Sequence, residues 1–326
     1  MPGAIRAFMR VIGGALLVLM TVAASSLAQS FPVTVRHALG ETTIAAPPKR
    51  IVSLGLNDQD FLYALGLAPV GVREWWGRKP YATWRWAEEL RRKLGAQPSV
   101  TAGRSVDPEW VLALDPDLIV ATYGDLDPAT YRKLSKVAPV VTVPAGYPRW
   151  SAPWEAQLRL LDLTTSGATA KADNIIAALR EKASNLRLSH PEFKGKTASF
   201  ADMRDGQFTL WSRTSAVGRF IATLGFAPPE GLEALADGAG WIRLSLEQAD
   251  MMDLDLVVWP NGGRTEIESV MAYRNLRLFR EDRSIWLEAD SDLAAALWFQ
   301  SPLSIDFALD RIAPLLATAL RPANGR

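Results

Sequence analysis

The chain has 326 residues, 48% of them apolar and 22% charged, a globular composition with room for about two domains. Lys and Arg number 36 against 35 Asp and Glu, which leaves no positive surplus to hold a phosphate backbone, so nucleic acid is not an expected partner. The absence of cysteine excludes disulfides, thiolate metal sites, thiol nucleophiles and lipidation of an N-terminal Cys, and His37 and His190 are too few for a His-built metal centre. No direct metal ligand and no cofactor is therefore expected. The 12 tryptophans outnumber 11 phenylalanines and 6 tyrosines, and some of these indoles are expected to face a ligand.

The N-terminus has the three parts of an export signal. Arg6 and Arg10 form a basic region, Val11 to Met20 an apolar run too short to span a bilayer, and Ser26-Leu27-Ala28 a small-residue cleavage site. Cleavage after Ala28 predicts a soluble periplasmic protein. From there strand and helix patterns alternate, which predicts an α/β fold with mainly parallel sheets. Arg50 to Leu54 reads as a buried strand, Asn57 to Leu65 as a helix ended by Gly66, and Asp107-Pro108-Glu109 as a capped helix start before the strand Asp117 to Ala121.

Two internal echoes follow. Glu109, Asp115, Asp117, Leu118 and Val120 recur 138 residues later as Glu247, Asp253, Asp255, Leu256 and Val258, with Ser245 in the cap place of Asp107. The stretch from Phe61 to Pro69 is echoed by Phe220 to Pro228, each a helix end running into a Gly cap. Between the echoes, Ala168 to Leu188 is a long helix-friendly run ended by His190-Pro191. The expected architecture is two doubly wound α/β lobes, residues 29–166 and 191–326, joined by one long helix in 167–190, with a ligand cleft between the lobes. Lys196 to Phe200 is expected to open the second sheet.

This topology predicts the loops that line the cleft. From the first lobe come Gly55 to Asp58, Glu74 to Trp86, Gly103 to Ser105 and Thr122 to Gly124; from the second come Trp211 to Arg213, Gly240 to Arg243, Trp259 to Gly263 and Trp298 to Gln300. They carry Trp75, Trp76, Arg104, Tyr123, Trp211, Arg213, Trp241, Arg243, Trp259 and Trp298, of which Trp259 continues an apolar strand and fits a core position equally well. Aromatic walls with planar guanidinium donors suit a large, partly apolar, oxygen-rich ligand. No G-x-x-x-x-G-K-[ST], G-x-G-x-x-G or G-x-S-x-G motif occurs, and no carboxylate spacing singles out a catalytic pair, so an enzyme is not expected. A secreted enzyme using the same cleft is the alternative of another class.

Phe31 to Val35, Gly40 to Ile44, Pro48 to Leu54 and Asp115 to Val120 together resemble the periplasmic binding proteins that deliver ferric siderophores, haem or cobalamin to ABC importers. The likeness is nearest to the ferric-hydroxamate binders. It implies a ferric siderophore as ligand, an inner-membrane ABC permease as partner, a monomer and no catalysis. It places Arg104 and Tyr123 on hydroxamate oxygens, Trp241 against the ligand skeleton and the pair Trp298-Phe299 beside it. Arg73, Arg78, Arg213 and Arg243 depart from that pattern, and such added charge suits an anionic catecholate or carboxylate siderophore. Ferric catecholate, haem and cobalamin thus stay as alternatives. Permease docking in the manner of the family implies acidic lobe tips, with Asp125, Asp127, Glu230 and Glu233 as candidates.

Overall fold

The computed structural model describes residues 31–103, 105–148 and 150–321; the export signal expected in 1–28 and the ligand contact expected of Arg104 lie outside the described residues. A hairpin of β1 (Val33–His37) and β2 (Gly40–Ile44) opens the chain, with Val33, Val35 and Ile44 turned into the core. The first sheet comprises β3 (Ile51–Ser53), β4 (Gly71–Arg73), β5 (Ser99–Thr101), β6 (Leu118–Ala121) and β7 (Val140–Thr142), all parallel in the order β5-β4-β3-β6-β7. Strand order reverses between β3 and β6, and loops leaving neighbouring strands there splay apart into a crevice.

The second sheet holds β8 (Ala198–Arg204), β9 (Gln207–Trp211), β10 (Trp241–Leu244), β11 (Leu256–Trp259) and β12 (Ser284–Trp286) in the order β10-β9-β8-β11-β12. Its spatial plan repeats that of the first, but β8, β9 and β10 pair antiparallel while β8, β11 and β12 run parallel. The doubly wound plan thus holds for one half of this sheet only. The reason is local: Asp205 (φ 51°) and Gly206 (φ 72°) form a two-residue turn whose left-handed backbone matches strand twist, so β8 folds straight back as a hairpin.

The sequence echoes have a structural cause. Asp117 accepts hydrogen bonds from the backbone N–H groups of Lys49 (2.7 Å) and Arg50 (2.8 Å), fixing the start of β3 beside β6. Asp255 accepts from the N–H of Thr197 (3.0 Å) and fixes the start of β8 beside β11 in the same way. Asp107 caps the helix Pro108–Ala113 through the N–H of Glu109, whereas its counterpart Ser245 starts a 3₁₀ helix, Leu246–Met252, with a reciprocal capping box to Gln248.

The linker helix Ala170–Ser189 serves both lobes. Ala172 and Ile176 in its first half pack into the core around β3 and β6, while Leu179 and Ala183 in its second half pack into the core around β8 and β11. The C-terminal helix Pro302–Ala319 then crosses back, packing on the linker helix and on the first-lobe helices Asp58–Ala64 and Arg85–Lys93. The segment just before it seals the seam between the lobes. There the Asn57 amide donates to the Phe299 carbonyl (2.5 Å), and the Ser301 hydroxyl donates to Asp60 Oδ2 (2.7 Å). Phe299 sits among Trp75, Trp76, Trp84 and Trp86, with ring centroids 5.1–6.1 Å away. Aromatic edges and faces at these separations attract beyond their buried area, so the seam is a welded floor and not a loose contact.

Candidate functional site

Above that floor lies a cavity of about 480 Å³, within the range of small-molecule sites. From the first lobe, Trp75 and Trp76 follow β4, Tyr123 follows β6 and Trp150 lies beyond β7. Trp75 and Trp76 meet edge to face at 4.2 Å, Tyr123 lies 5.6 Å from Trp75, and Trp150 stands edge-on to Tyr123 at 5.0 Å. The second lobe supplies Trp211 at the end of β9, Trp241 at the start of β10 and Trp298 near the end of the helix Asp292–Phe299. Trp211 and Trp298 meet at 4.9 Å. Aromatic side chains from well-separated stretches of both lobes therefore converge on one space.

Among the described residues that line it, Arg204 alone is charged. Its Nε donates to Asp202 Oδ2 at 2.7 Å, the Asn261 amide donates to the same oxygen at 2.7 Å, and Trp298 Nε1 donates to Asn261 Oδ1 at 3.1 Å. This chain of bonds holds the guanidinium 5.7 Å from the Trp211 ring and 5.9 Å from that of Trp241. A guanidinium fixed through Nε presents its two Nη groups as a planar fork. Behind the opposite wall, Arg219 donates to the carbonyls of Ser151 and Thr214 and so ties the two lobes together next to Trp150 and Ser215.

Tyr123 is half-buried, and burial pushes its phenol up to about 12, against a weaker downward pull from Arg219. The side chain is thus a neutral O–H donor at physiological pH and not a phenolate. Such an O–H donor suits an oxygen already bound to its own metal.

Three of the expected cleft residues, Arg213, Arg243 and Trp259, are elsewhere. Arg213 lines a separate cavity behind the helix Ala216–Thr223, because the chain turns away after Trp211 and the Arg213 N–H is captured by Glu233 (3.1 Å). Arg243 lies on the outer edge of β10, paired with Asp237 at 3.1 Å and 5.2 Å from the Trp241 ring. One residue along a strand reverses the face, so Trp241 and Arg243 share a side while the cavity reaches only the first of them. Arg73 is buried beneath the site between the Gly103 carbonyl (3.2 Å) and Asp125 (3.4 Å), and Arg78 does not line the cavity. Trp259 is core, stacked on Trp286 at 5.1 Å with its indole N–H on Ser284. Phe299 parts from Trp298 and lies in the floor.

Sequence reasoning missed Trp150, Arg204 and Asn261 as lining residues. Trp150 had a signal in its place within a Pro- and Gly-bounded loop. Arg204 had one too, because it immediately precedes the Asp-Gly hairpin turn. Asn261 fell within an expected cleft loop and was passed over for lack of charge or ring. Small residues complete the wall: Gly240 has φ +82°, and a Cβ there would come within 2.6 Å of the Ser215 backbone nitrogen, so only glycine lets β10 approach the start of the helix Ala216–Thr223.

A model of the family described as "Periplasmic binding protein" matches residues 51–276. The chain belongs to this family. A periplasmic solute binding protein from Mycobacterium smegmatis superposes with a TM-score of 0.76 and 32% identity, covering 89% of this chain and 99% of that one. The chain is 29% identical over 213 residues to the probable siderophore-binding lipoprotein YfiY of Bacillus subtilis, 63% of this chain, and the match spans 60% of that protein's length. It is 24% identical over 262 residues to the Fe(3+)-citrate-binding protein YfmC of the same organism, 76% of this chain and 77% of that one. As a member of this family it is a binding protein and not an enzyme, and its two-lobed α/β plan is shared with the solved Mycobacterium smegmatis structure.

Proposed function

We propose that this binding protein captures a ferric siderophore of the near-neutral trihydroxamate class and delivers it to an inner-membrane ABC permease. The observation that carries the reading is the lining of the cavity, in which, among the described residues, aromatic side chains surround one arginine partly compensated by Asp202. The names of the two curated relatives both point to iron chelates, one of them the anionic citrate complex. A trianionic catecholate would lose much of its hydration in this cavity and gain only one partly compensated cation among the described residues, whereas a near-neutral chelate loses little. Its carbon skeleton suits the indoles, and its metal-bound oxygens suit Arg204 and the Tyr123 hydroxyl. Iron is here the cargo, enclosed by its chelator.

Tryptophan fluorescence tests this directly, since the rings sit on the binding surface. The chain from Gln29 is titrated with a ferric trihydroxamate, a ferric triscatecholate, ferric citrate, haemin and the iron-free chelators, with an inner-filter control. The expected result is saturation at one equivalent by the ferric trihydroxamate, at least tenfold tighter than the catecholate, about 1.4 kcal/mol. Tighter binding of the catecholate or of citrate would overturn the hydroxamate assignment while keeping the receptor.

We place the receptor in the periplasm as a monomer, exported by residues 1–28. For docking, Glu230 is the better candidate, because Asp125 pairs with buried Arg73 beneath the site. Asp127 is engaged as the cap of the helix Pro128–Leu134, and Glu233 holds the Arg213 N–H. Reversing Glu230 is expected to slow uptake in cells without changing ligand affinity in solution; unchanged uptake removes it from the docking surface.

A further inference from the structure

On the side of the seam away from the aromatic cavity lies a second one, of about 490 Å³, between the linker helix, the helix Ala216–Thr223 and the C-terminal helix. Its floor is apolar: Leu179, Ala183, Phe220, Ile305 and Leu309, all buried. Its rim is cationic, formed by Arg180, Arg187, Arg213 and Arg219, with Glu155 the one acidic side chain in the lining. Among the described residues only Arg180 of these four has a carboxylate partner for its guanidinium, Glu155 at 3.4 Å. Arg187 and Arg219 spend donors on backbone carbonyls instead, which satisfies hydrogen bonds without adding a counter-charge.

Four guanidiniums and a single carboxylate around an apolar trough make a surface complementary to an anion that carries an apolar tail. We infer that this rear cavity is a second ligand site, for an amphiphile with one acyl chain and one oxyanion head. The trough takes the chain, for Leu179 to Arg187 runs about 12 Å along the linker helix, and the guanidinium forks take a carboxylate or phosphate. The site touches both lobes and the linker. Trp154 and Glu155 belong to the first lobe, Phe220 and Arg213 to the second, and Arg219 also borders the wall of the aromatic cavity through Ser151 and Thr214.

The test is calorimetric titration of the chain from Gln29 with decanoate and with decyl phosphate below their micelle concentrations, beside acetate and decyltrimethylammonium. One saturable site is expected for the two anionic amphiphiles and none for the other two probes. The tighter of the two heads distinguishes a free fatty acid from a phospholipid fragment. The double variant Arg180→Glu with Arg213→Glu, both at exposed side chains and checked for an unchanged unfolding transition, is expected to weaken decanoate about tenfold or more. Trp241→Ala is expected to leave it unchanged. The inference is overturned if neither anionic amphiphile saturates, if decyltrimethylammonium binds equally well, or if Trp241→Ala weakens decanoate and the arginine variant does not.

Discussion

Between pH 7 and pH 4 the native protein is expected to gain about 2–3 kcal/mol of stability relative to its Asp60→Asn variant. Asp60 is buried in the seam, where Trp86 Nε1 (2.6 Å) and the Ser301 hydroxyl (2.7 Å) donate to Oδ2 while Oδ1 accepts no hydrogen bond among the described residues. Burial pushes its carboxyl up to about 6, and those two donors only partly offset the shift. In the unfolded chain the same group titrates near 3.9. The native state therefore binds more protons than the unfolded state between about pH 4 and pH 6, so stability falls as pH rises through that window and is level above it. The amide introduced by the Asp60→Asn substitution keeps an acceptor for Trp86 and Ser301 and does not titrate.

Other groups titrate in the same interval. Asp58, whose carboxyl burial likewise raises to about 6 against bonds from Thr122, adds a contribution of the same sign, and buried His37, pushed down from its usual range, adds an opposite one below about pH 6.5. Both are present in wild type and variant and cancel in the difference. Carboxylates held low by their donors, such as Asp127 and Asp173, lose their contribution only below about pH 4. Urea unfolding at pH 4, 5, 6 and 7 measures the gap between the two proteins. Parallel curves would mean that the Asp60 carboxyl is not shifted in the native state, and that outcome overturns the prediction.

The second large effect concerns the cavity. Arg204→Ala is expected to weaken ferric trihydroxamate binding by about 10- to 100-fold, about 1.4–2.8 kcal/mol, with an unfolding midpoint within a degree or two of wild type. The residue is exposed, and among the described residues its guanidinium bonds Asp202 alone, so folding owes it little, whereas a ligand oxygen would lose two charged donors. Arg204→Lys is expected to recover little of the loss, because an ammonium cannot hold Asp202 through one nitrogen and offer a fork with two others. Asp202→Asn should fall between, since it loosens the guanidinium without removing it. Full affinity in a folded Arg204→Ala protein would take this arginine out of the site.

Much of this molecule is legible in its sequence. The two-lobe plan follows from Asp117 and Asp255, whose placement before apolar strands reflects one task, pinning the edge of a neighbouring strand at its start. The linker helix follows from a long run without Gly or Pro, and Trp75, Trp76, Tyr123, Trp211, Trp241 and Trp298 are marked by ring chemistry next to strand ends. These are local properties, readable from period and composition. What one chain segment meets in another is not. The Asp205-Gly206 turn folds β8 back and thereby brings Arg204 to Trp211 and Trp241, while Asn261 reaches across from the loop after β11 to the Asp202 carboxylate that holds it.

The charge of the cavity emerges only from packing. Arg73, Arg213 and Arg243 look alike in sequence, yet the fold buries the first under the site, carries the second to the rear cavity and pairs the third with Asp237 on an outer edge. A two-lobed binding protein with an aromatic cleft could be read from the chain alone, because strand starts, helix length and ring content are properties of short stretches. Which arginines face the ligand depends on contacts between residues far apart in the chain, and those exist only once both sheets and the crossing C-terminal helix are in place.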